Sequence, residues 1–277
     1  MKDATSMIDL HCHILPGLDD GSPDMEVSLA MARLAAKDGI SDIVATPHLF
    51  RGASNLTDFG LLAKKHKEFQ AALEREAIPL AIHCGVEIRF SHNLLEEIKK
   101  HRRNLVLAGS SYIFVEFPFD YVYTGAKDVF FQVMSEGLIP IVTHPERIST
   151  FISHPELLYE MVEMGALVQA NAGSLLGHYG SRTRDAAMLF LRLNLVHFIA
   201  SDGHNTDSRP PVLSTAVRSA EPIVGPEAAS AMVRDNPRAV LEDKPLPFLP
   251  EPVHPQTSVE KHLRLKLPSF LRSKKAK

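Results

Sequence analysis

A chain of 277 residues with 45% hydrophobic and 23% charged residues has the make-up of a soluble globular protein with length for one large core. Two cysteines argue against a disulfide scaffold, no apolar run approaches the ~20 residues of a membrane span, and MKDATSM lacks the apolar stretch of a secretory signal, so a cytoplasmic protein is expected. The net charge of −3 is unevenly spread: from Glu260 onward seven Lys/Arg accompany one acid, leaving an acidic body without the electrostatic footprint of a nucleic-acid binder.

In chain order, MIDL (7–10) reads as a buried strand. Ser22-Pro23-Asp24 then opens a helix, with Ser22 as its cap and Pro23 in its first position, running to about Lys37 and stopped by Gly39. DIVAT (42–46) is the next strand, a helix follows near 57–76, and LAIHCGVEI (80–88) is a third strand. Ser91 is expected to cap a helix over 91–100. The alternation continues with YIFVEF (112–117), a helix near 124–136, LIPIVTH (138–144), a helix near 154–164, ALVQAN (166–171), a helix near 182–193 and LVHFIASD (195–202). Helices near 211–220 and 226–234 close the fold. Seven apolar strands separated by helices imply an α/β protein whose parallel sheet is covered on both faces. The expected form is a seven-stranded relative of the eight-fold barrel, with an open doubly wound sheet as the alternative. After Asp243 six prolines fall between 245 and 268, followed by the basic tail, so residues 1–243 are expected to form the domain and 244–277 a poorly ordered extension.

The candidate chemistry gathers at the carboxyl ends of those strands. The first gives His11 and His13, the second His48, the third Glu87, the fourth Glu116, the fifth His144, and the seventh Asp202 and His204; Asp20 lies in the first strand-to-helix loop. The sixth offers only Asn171. His11 and His13, like Asp202 and His204, are two residues apart on extended chain and therefore point the same way. A carboxylate at the end of a hydrophobic strand is costly unless it is paired or holds a metal. A lone histidine or glutamate at such a place is ordinarily a hydrogen-bonded core residue, but this many at one end of a β/α array point to a metal centre.

HCH near the N-terminus, ATPH, GVE, VEF, THPER and SDGH, in this order, resemble the PHP (polymerase and histidinol phosphatase) superfamily of metal-dependent phosphoesterases. IDLHCHILPGLDDG, GISDIVATPH, THPER and ASDGHN…RPP resemble most its bacterial tyrosine-phosphatase branch, associated with capsule and exopolysaccharide synthesis, over about residues 7–243. The resemblance implies a distorted seven-stranded (β/α)7 TIM-like barrel and up to three divalent ions, most commonly Mn²⁺. It implies that His11, His13, Glu87 and Asp202 hold one ion, that Glu87 bridges to a second completed by Glu116 and His144, and that Asp20, His48 and His204 hold the third. An aspartate at position 20, where histidinol-phosphatase relatives tend to carry histidine, favours the tyrosine-phosphatase branch. Arg147 and Arg209 match positions expected to grip phosphate. The substrate implied is a phosphotyrosine protein, a bacterial tyrosine autokinase first of all. His204 is the candidate general acid, and mixed N/O ligation suits Mn, Fe, Co or Zn.

Three rivals stand beside this reading. HCGVEIR (83–89) approaches the His-Cys…Arg loop of cysteine-dependent tyrosine phosphatases, but four residues, not five, separate Cys84 from Arg89, and Glu87 would put a carboxylate inside a phosphate cradle. A histidinol-phosphate-type phosphatase, or another PHP phosphoesterase, is the alternative within the superfamily. A binding module with a structural metal would need neither an open ligand set nor spare arginines. The tail VEKHLRLKLPSFLRSKKAK mixes Leu and Phe with basic residues, which suits a solvated segment or weak contact with an anionic membrane or an acidic partner.

Overall fold

The computed structural model describes residues 6–49 and 58–256. The elements are β1 (Met7–Cys12), α1 (Met25–Lys37), β2 (Ile40–Ala45), β3 (His48–Leu49), α2 (Phe59–Arg75), β4 (Ala81–Cys84), β5 (Glu87–Arg89), α3 (Leu94–Leu105) and β6 (Tyr112–Glu116). They continue with α4 (Ala126–Ser135), β7 (Ile139–Thr143), α5 (Ser149–Ser153), α6 (Pro155–Glu163), β8 (Leu167–Asn171), α7 (Ala172–Leu175) and α8 (Ser181–Arg192). The last are β9 (Phe198–Ala200), α9 (Ser214–Val224), α10 (Pro226–Ala231) and α11 (Asp235–Leu241).

All strand pairs are parallel, in two sheets ordered β1-β2-β4 and β3-β5-β6-β7-β8-β9. Among the described residues nine strands stand where seven were expected: the third expected strand is broken into β4 and β5, and β3 lies just beyond the expected end of the second. Between β2 and β3 lies Pro47, which has no N–H for a ladder. Between β4 and β5 lies Gly85, packed so tightly that a Cβ there would stand 2.7 Å from Val44 Cγ1 and 2.9 Å from Leu107 Cδ2. Backbone bonds from Gly85 N to Ala45 O and from Glu87 N to Pro47 O (3.0 and 3.1 Å) carry the pairing past the breaks. On the other side, Asp202 N to His11 O and His13 N to Gly203 O, both 2.8 Å, tie the end of β1 to the turn after β9.

Alternate strand residues separate into two packing sets, as a period of two requires. Ile8, Leu10, Phe114, Ile141 and Phe198 belong to one cluster, while Ile43, Ile113, Val115, Val142 and Val168 belong to a larger one shared with the helices. Burial on both faces explains the near-continuous apolar strands.

Several local expectations shift. Asp24, not Ser22, caps α1 by accepting from Val27 N at 2.9 Å, and Pro23 lies outside the helix. Ser22 is buried and its hydroxyl bonds Asp24 O and Ser28 Oγ instead, so it serves the loop. Helix α3 starts at Leu94 rather than at Ser91, and α5, α7 and α11 were not foreseen. The extension expected to be poorly ordered from 244 begins with a stretch hydrogen-bonded to the domain. Tyr112 Oη donates to Lys244 O (2.7 Å), Asn236 exchanges bonds with the backbone of Phe248, and Val253 N donates to Leu193 O (2.8 Å). The basic tail from 257 lies outside the described residues. Among the described residues no helix is long and apolar enough to cross a membrane.

Candidate metal centre

The nine residues singled out as ligands converge at the carboxyl ends of the strands. His11 lies in β1 and His13 one residue beyond it; the parallel register of β3 and β5 sets His48 directly beside Glu87; Glu116 ends β6. His144 and Asp202 each follow a strand in left-handed backbone, with φ of 34° and 51°. Non-glycine residues rarely take that conformation unless the surroundings require it, and such strain clusters at functional sites. All nine are buried except Asp20, whose side chain is 59% exposed and closes the cluster from the solvent side.

Among the described residues three groups have candidate ligand atoms within 4.8 Å of one another: His11, His13 and Asp202; His13, Asp20, His48 and His204; and His48, Glu87 and Glu116. This partition differs from that implied by the resemblance. His48 stands with Glu87 and Glu116 as well as with Asp20 and His204, and His13 is shared by two groups. Glu87 Oε2 remains 3.5 and 3.7 Å from His11 Nε2 and His13 Nε2. His144 falls outside these groups, but its Nε2 is 3.0 Å from Glu87 Oε1 and 3.9 Å from Glu116 Oε1.

The electrostatics match a cation site. Burial alone would lower the His11 imidazole, but Glu87 and Asp202 lift it to about 9. His48, likewise opposed by burial, is lifted to about 10 by Asp20 and Glu87. Burial would raise the Glu87 and Asp202 carboxyls, yet the histidines around both, and Arg209 beside Asp202, hold them well below the usual range. The buried carboxylates thus draw in positive charge, a demand that divalent cations also meet. His204 behaves differently: burial and His13 push it down to about 4, and with Nδ1 facing Asp202 O at 2.8 Å its buried Nε2 has no hydrogen-bond partner. A neutral imidazole that donates through Nδ1 presents Nε2 as a lone pair, which is the ligating form. Donor types, burial and this unpartnered nitrogen fit borderline divalent ions.

Both arginines reach the cluster through Asp202. Arg147 Nη1 and Arg209 Nη2 donate to Asp202 Oδ2 at 3.0 and 2.6 Å. Arg147 is turned back by a short 3-10 turn over Pro145–Arg147, and its guanidinium lies between the rings of Phe119 and Tyr179, 4.6 and 4.3 Å from their centroids. Arg209 is returned by a loop in which the Asn205 side chain accepts from the backbone of Asp207, Ser208 and Arg209. A cavity of about 330 Å³ lined by Leu176, Tyr179, Arg209, Pro210 and Val212 adjoins them.

Sequence reasoning missed the supporting residues. His13 Nδ1 donates to Asp19 Oδ2 at 2.6 Å, and the same oxygen accepts from His48 N. Asp19 thus orients His13 while its neighbour Asp20 stands among the candidate ligands. Thr143 Oγ1 donates to Glu87 Oε1 (2.7 Å), and Arg89 lies 3.0 Å from Glu116 Oε2. Phe119 and Tyr179 carried no motif signal. Of the two cysteines, Cys12 is buried, and burial pushes both thiols up, away from the thiolate that cysteine catalysis needs.

A parallel β/α array with His/carboxylate groups and two arginines at its carboxyl edge defines a hydrolase with a candidate metal centre. The chain belongs to the capsular polysaccharide synthesis CpsB/CapC family, whose model matches residues 7–242. It is 39% identical over 203 residues to tyrosine-protein phosphatase YwqE of Bacillus subtilis, covering 73% of this chain and 79% of that protein. Its structure superposes with a TM-score of 0.85, at 35% identity over 90% of this chain and 99% of the other, on one from a crystallographic study of YwqE from Bacillus subtilis and CpsB from Streptococcus pneumoniae, described as unique metal-dependent tyrosine phosphatases. A phosphotriesterase homology protein from Escherichia coli shares the fold, with a TM-score of 0.55 at 15% identity.

Proposed function

We propose that the protein is a metal-dependent tyrosine-protein phosphatase of capsule or exopolysaccharide synthesis, acting in the cytoplasm on a phosphotyrosine protein, a bacterial tyrosine autokinase first of all. The observation that carries this reading is the convergence of Arg147 and Arg209 on Asp202 at the edge of the ligand groups. The paired strand breaks and the β1–β9 contacts support reading the array as a distorted (β/α)7 barrel of the PHP type.

His11, His13, Asp20, His48, Glu87, Glu116, His144, Asp202 and His204 are proposed to hold three ions, Mn²⁺ first because five histidine ligands suit it better than Mg²⁺. Bound divalent ions supply Lewis acidity and lower the pKa of water to near neutrality. The chain's own residues do the rest. Asp19 fixes His13 with its Nε2 facing the cluster. Each arginine spends one N–H on Asp202 and keeps others for the phosphate oxygens, whose charge spreads in the transition state. Phe119 and Tyr179 hold Arg147 in place by stacking, and the cavity beside Arg209 gives the phenyl ring an apolar wall. Phenol, with a pKa of about 10, leaves with less help from a general acid than an alkyl alcohol needs, and His204 is the candidate for that help. The tail from 257 is proposed to touch an anionic membrane surface weakly.

Turnover of a phosphotyrosine peptide and of histidinol phosphate by Mn²⁺-loaded protein tests the assignment. Preference for the peptide by at least ~10²-fold in kcat/KM, the discrimination a substrate-shaped pocket supplies, is expected; equal or better use of histidinol phosphate would transfer the protein to the small-molecule branch.

A further inference from the structure

Strand β8 is the one expected strand that brings no metal-ligating side chain to the site, yet its two inward polar residues, Gln169 and Asn171, are fully buried. They form a continuous chain. Asn171 Nδ2 donates to Asp202 Oδ2 at 2.6 Å, Gln169 Nε2 donates to Asn171 Oδ1 at 2.9 Å, and Gln169 Oε1 faces His11 Nδ1 at 3.0 Å. The backbone N of Asn171 is pinned in turn by Glu146 Oε1 at 2.9 Å.

The direction of every bond follows from its Asp202 end. A carboxylate only accepts, so the Asn171 amide must present Nδ2 to it and Oδ1 to Gln169. Gln169 must then present Nε2 to Asn171 and Oε1 to His11. An amide oxygen only accepts, so His11 must carry its proton on Nδ1, which leaves Nε2, 3.2 Å from His13 Nε2 and 3.7 Å from Asp202 Oδ1, as the nitrogen turned to the ligand group. At the other end, Asn171 and the two arginines occupy Oδ2 of Asp202 and turn Oδ1 toward His13 Nε2, 3.4 Å away.

We propose that Gln169 and Asn171 are positioning residues that act as one polarised relay, setting the tautomer of His11 and the orientation of Asp202 for the same bound cation. The inference rests on the metal-ligand reading of His11 and Asp202. Outer partners of metal-bound histidines change affinity by roughly 10–100-fold. A relay broken at one link is broken throughout, so its members couple strongly in a double-mutant cycle.

The test is Mn²⁺ affinity, by chelator competition, for wild type, Gln169→Met, Asn171→Leu and the double variant, with melting of the metal-free proteins as the fold control. Each single variant should weaken the tightest sites by roughly 10–100-fold, and the double variant should be no weaker than the worse single one within about two-fold. Multiplying losses would mean independent residues and would overturn the relay, as would single variants that melt like wild type and bind Mn²⁺ equally well. Should Gln169→Met not fold, Gln169→Asn, polar but one methylene too short to reach both partners, carries the same expectation. Wild-type protein that takes up no Mn²⁺ would instead sink the metal reading itself.

Discussion

Arg147 and Arg209 share one carboxylate oxygen, although neither is adjacent to Asp202 in sequence. Guanidinium has no lone pair and stays protonated, so neither binds a metal; each brings fixed N–H donors to the rim. Arg147→Ala and Arg209→Ala should retain the fold and, at saturating Mn²⁺, full metal content, yet each lose roughly 10²–10³-fold in turnover of phosphotyrosine, the scale of one lost oxyanion donor. Lysine should rescue only in part, having the charge without the fork. A metal-replete alanine variant within a few-fold of wild type would remove that arginine from the phosphate grip.

At the scale of elements, the loop between β1 and α1 is set by contact as much as by propensity. A Cβ at Gly21 would lie 2.2 Å from His13 O and 2.5 Å from His13 Cβ, so the loop carrying Asp19 and Asp20 sits directly on the ligand strand. Gly21→Ala must displace that loop. Expected are a stability loss of about 1–3 kcal/mol, typical of overpacking, and weaker metal uptake at the Asp20 group, read by denaturant unfolding and metal analysis. Unchanged values for both would show that the loop yields freely.

His197, just ahead of β9, is a second case. Burial holds its imidazole down to about 4, neutral, with Nδ1 accepting from Val168 N at 3.1 Å. As pH falls below about 6.5 the unfolded chain takes up this proton while the folded chain does not. Stability is therefore lost between about pH 6.5 and 4, on the order of 3 kcal/mol in full. His197→Asn, which keeps an acceptor but does not titrate, should flatten the slope of unfolding free energy against pH in this window. An identical slope would show that His197 is protonated in the folded protein.

For the whole molecule, chelation should abolish phosphatase activity, and Mn²⁺ should restore it better than Mg²⁺. Full turnover after long incubation in excess EDTA would end the metal mechanism. The C-terminal region should divide in two. A chain ending at residue 256 should keep the fold and full turnover of small phosphotyrosine substrates. One ending at 243 strips Asn236 of its bonds to Phe248 and should lose roughly 1–3 kcal/mol, the cost of an unpaired buried amide. Equal melting of the two truncations would show that residues 244–256 add nothing to stability.

The alternation of apolar strands and helices, and the gathering of candidate ligands at strand ends, were legible in the chain itself. Both follow from local rules, the period of two in a strand and the cost of burying a carboxylate, which act over a few residues. His11 and His13, or Asp202 and His204, declare themselves that way. Only the tertiary structure decided the rest. Close packing at Gly85 split an expected strand, His48 and His13 each joined two groups of candidate ligands, and residues 244–256 found partners on the domain. Asp19, Gln169, Asn171 and Tyr179 gained their roles from partners 6 to 158 positions away, or in the case of Tyr179 from the face of Arg147. A hydrogen bond or a stacked ring depends on distance and direction in space, and the order of residues along a chain fixes neither until the fold brings them together.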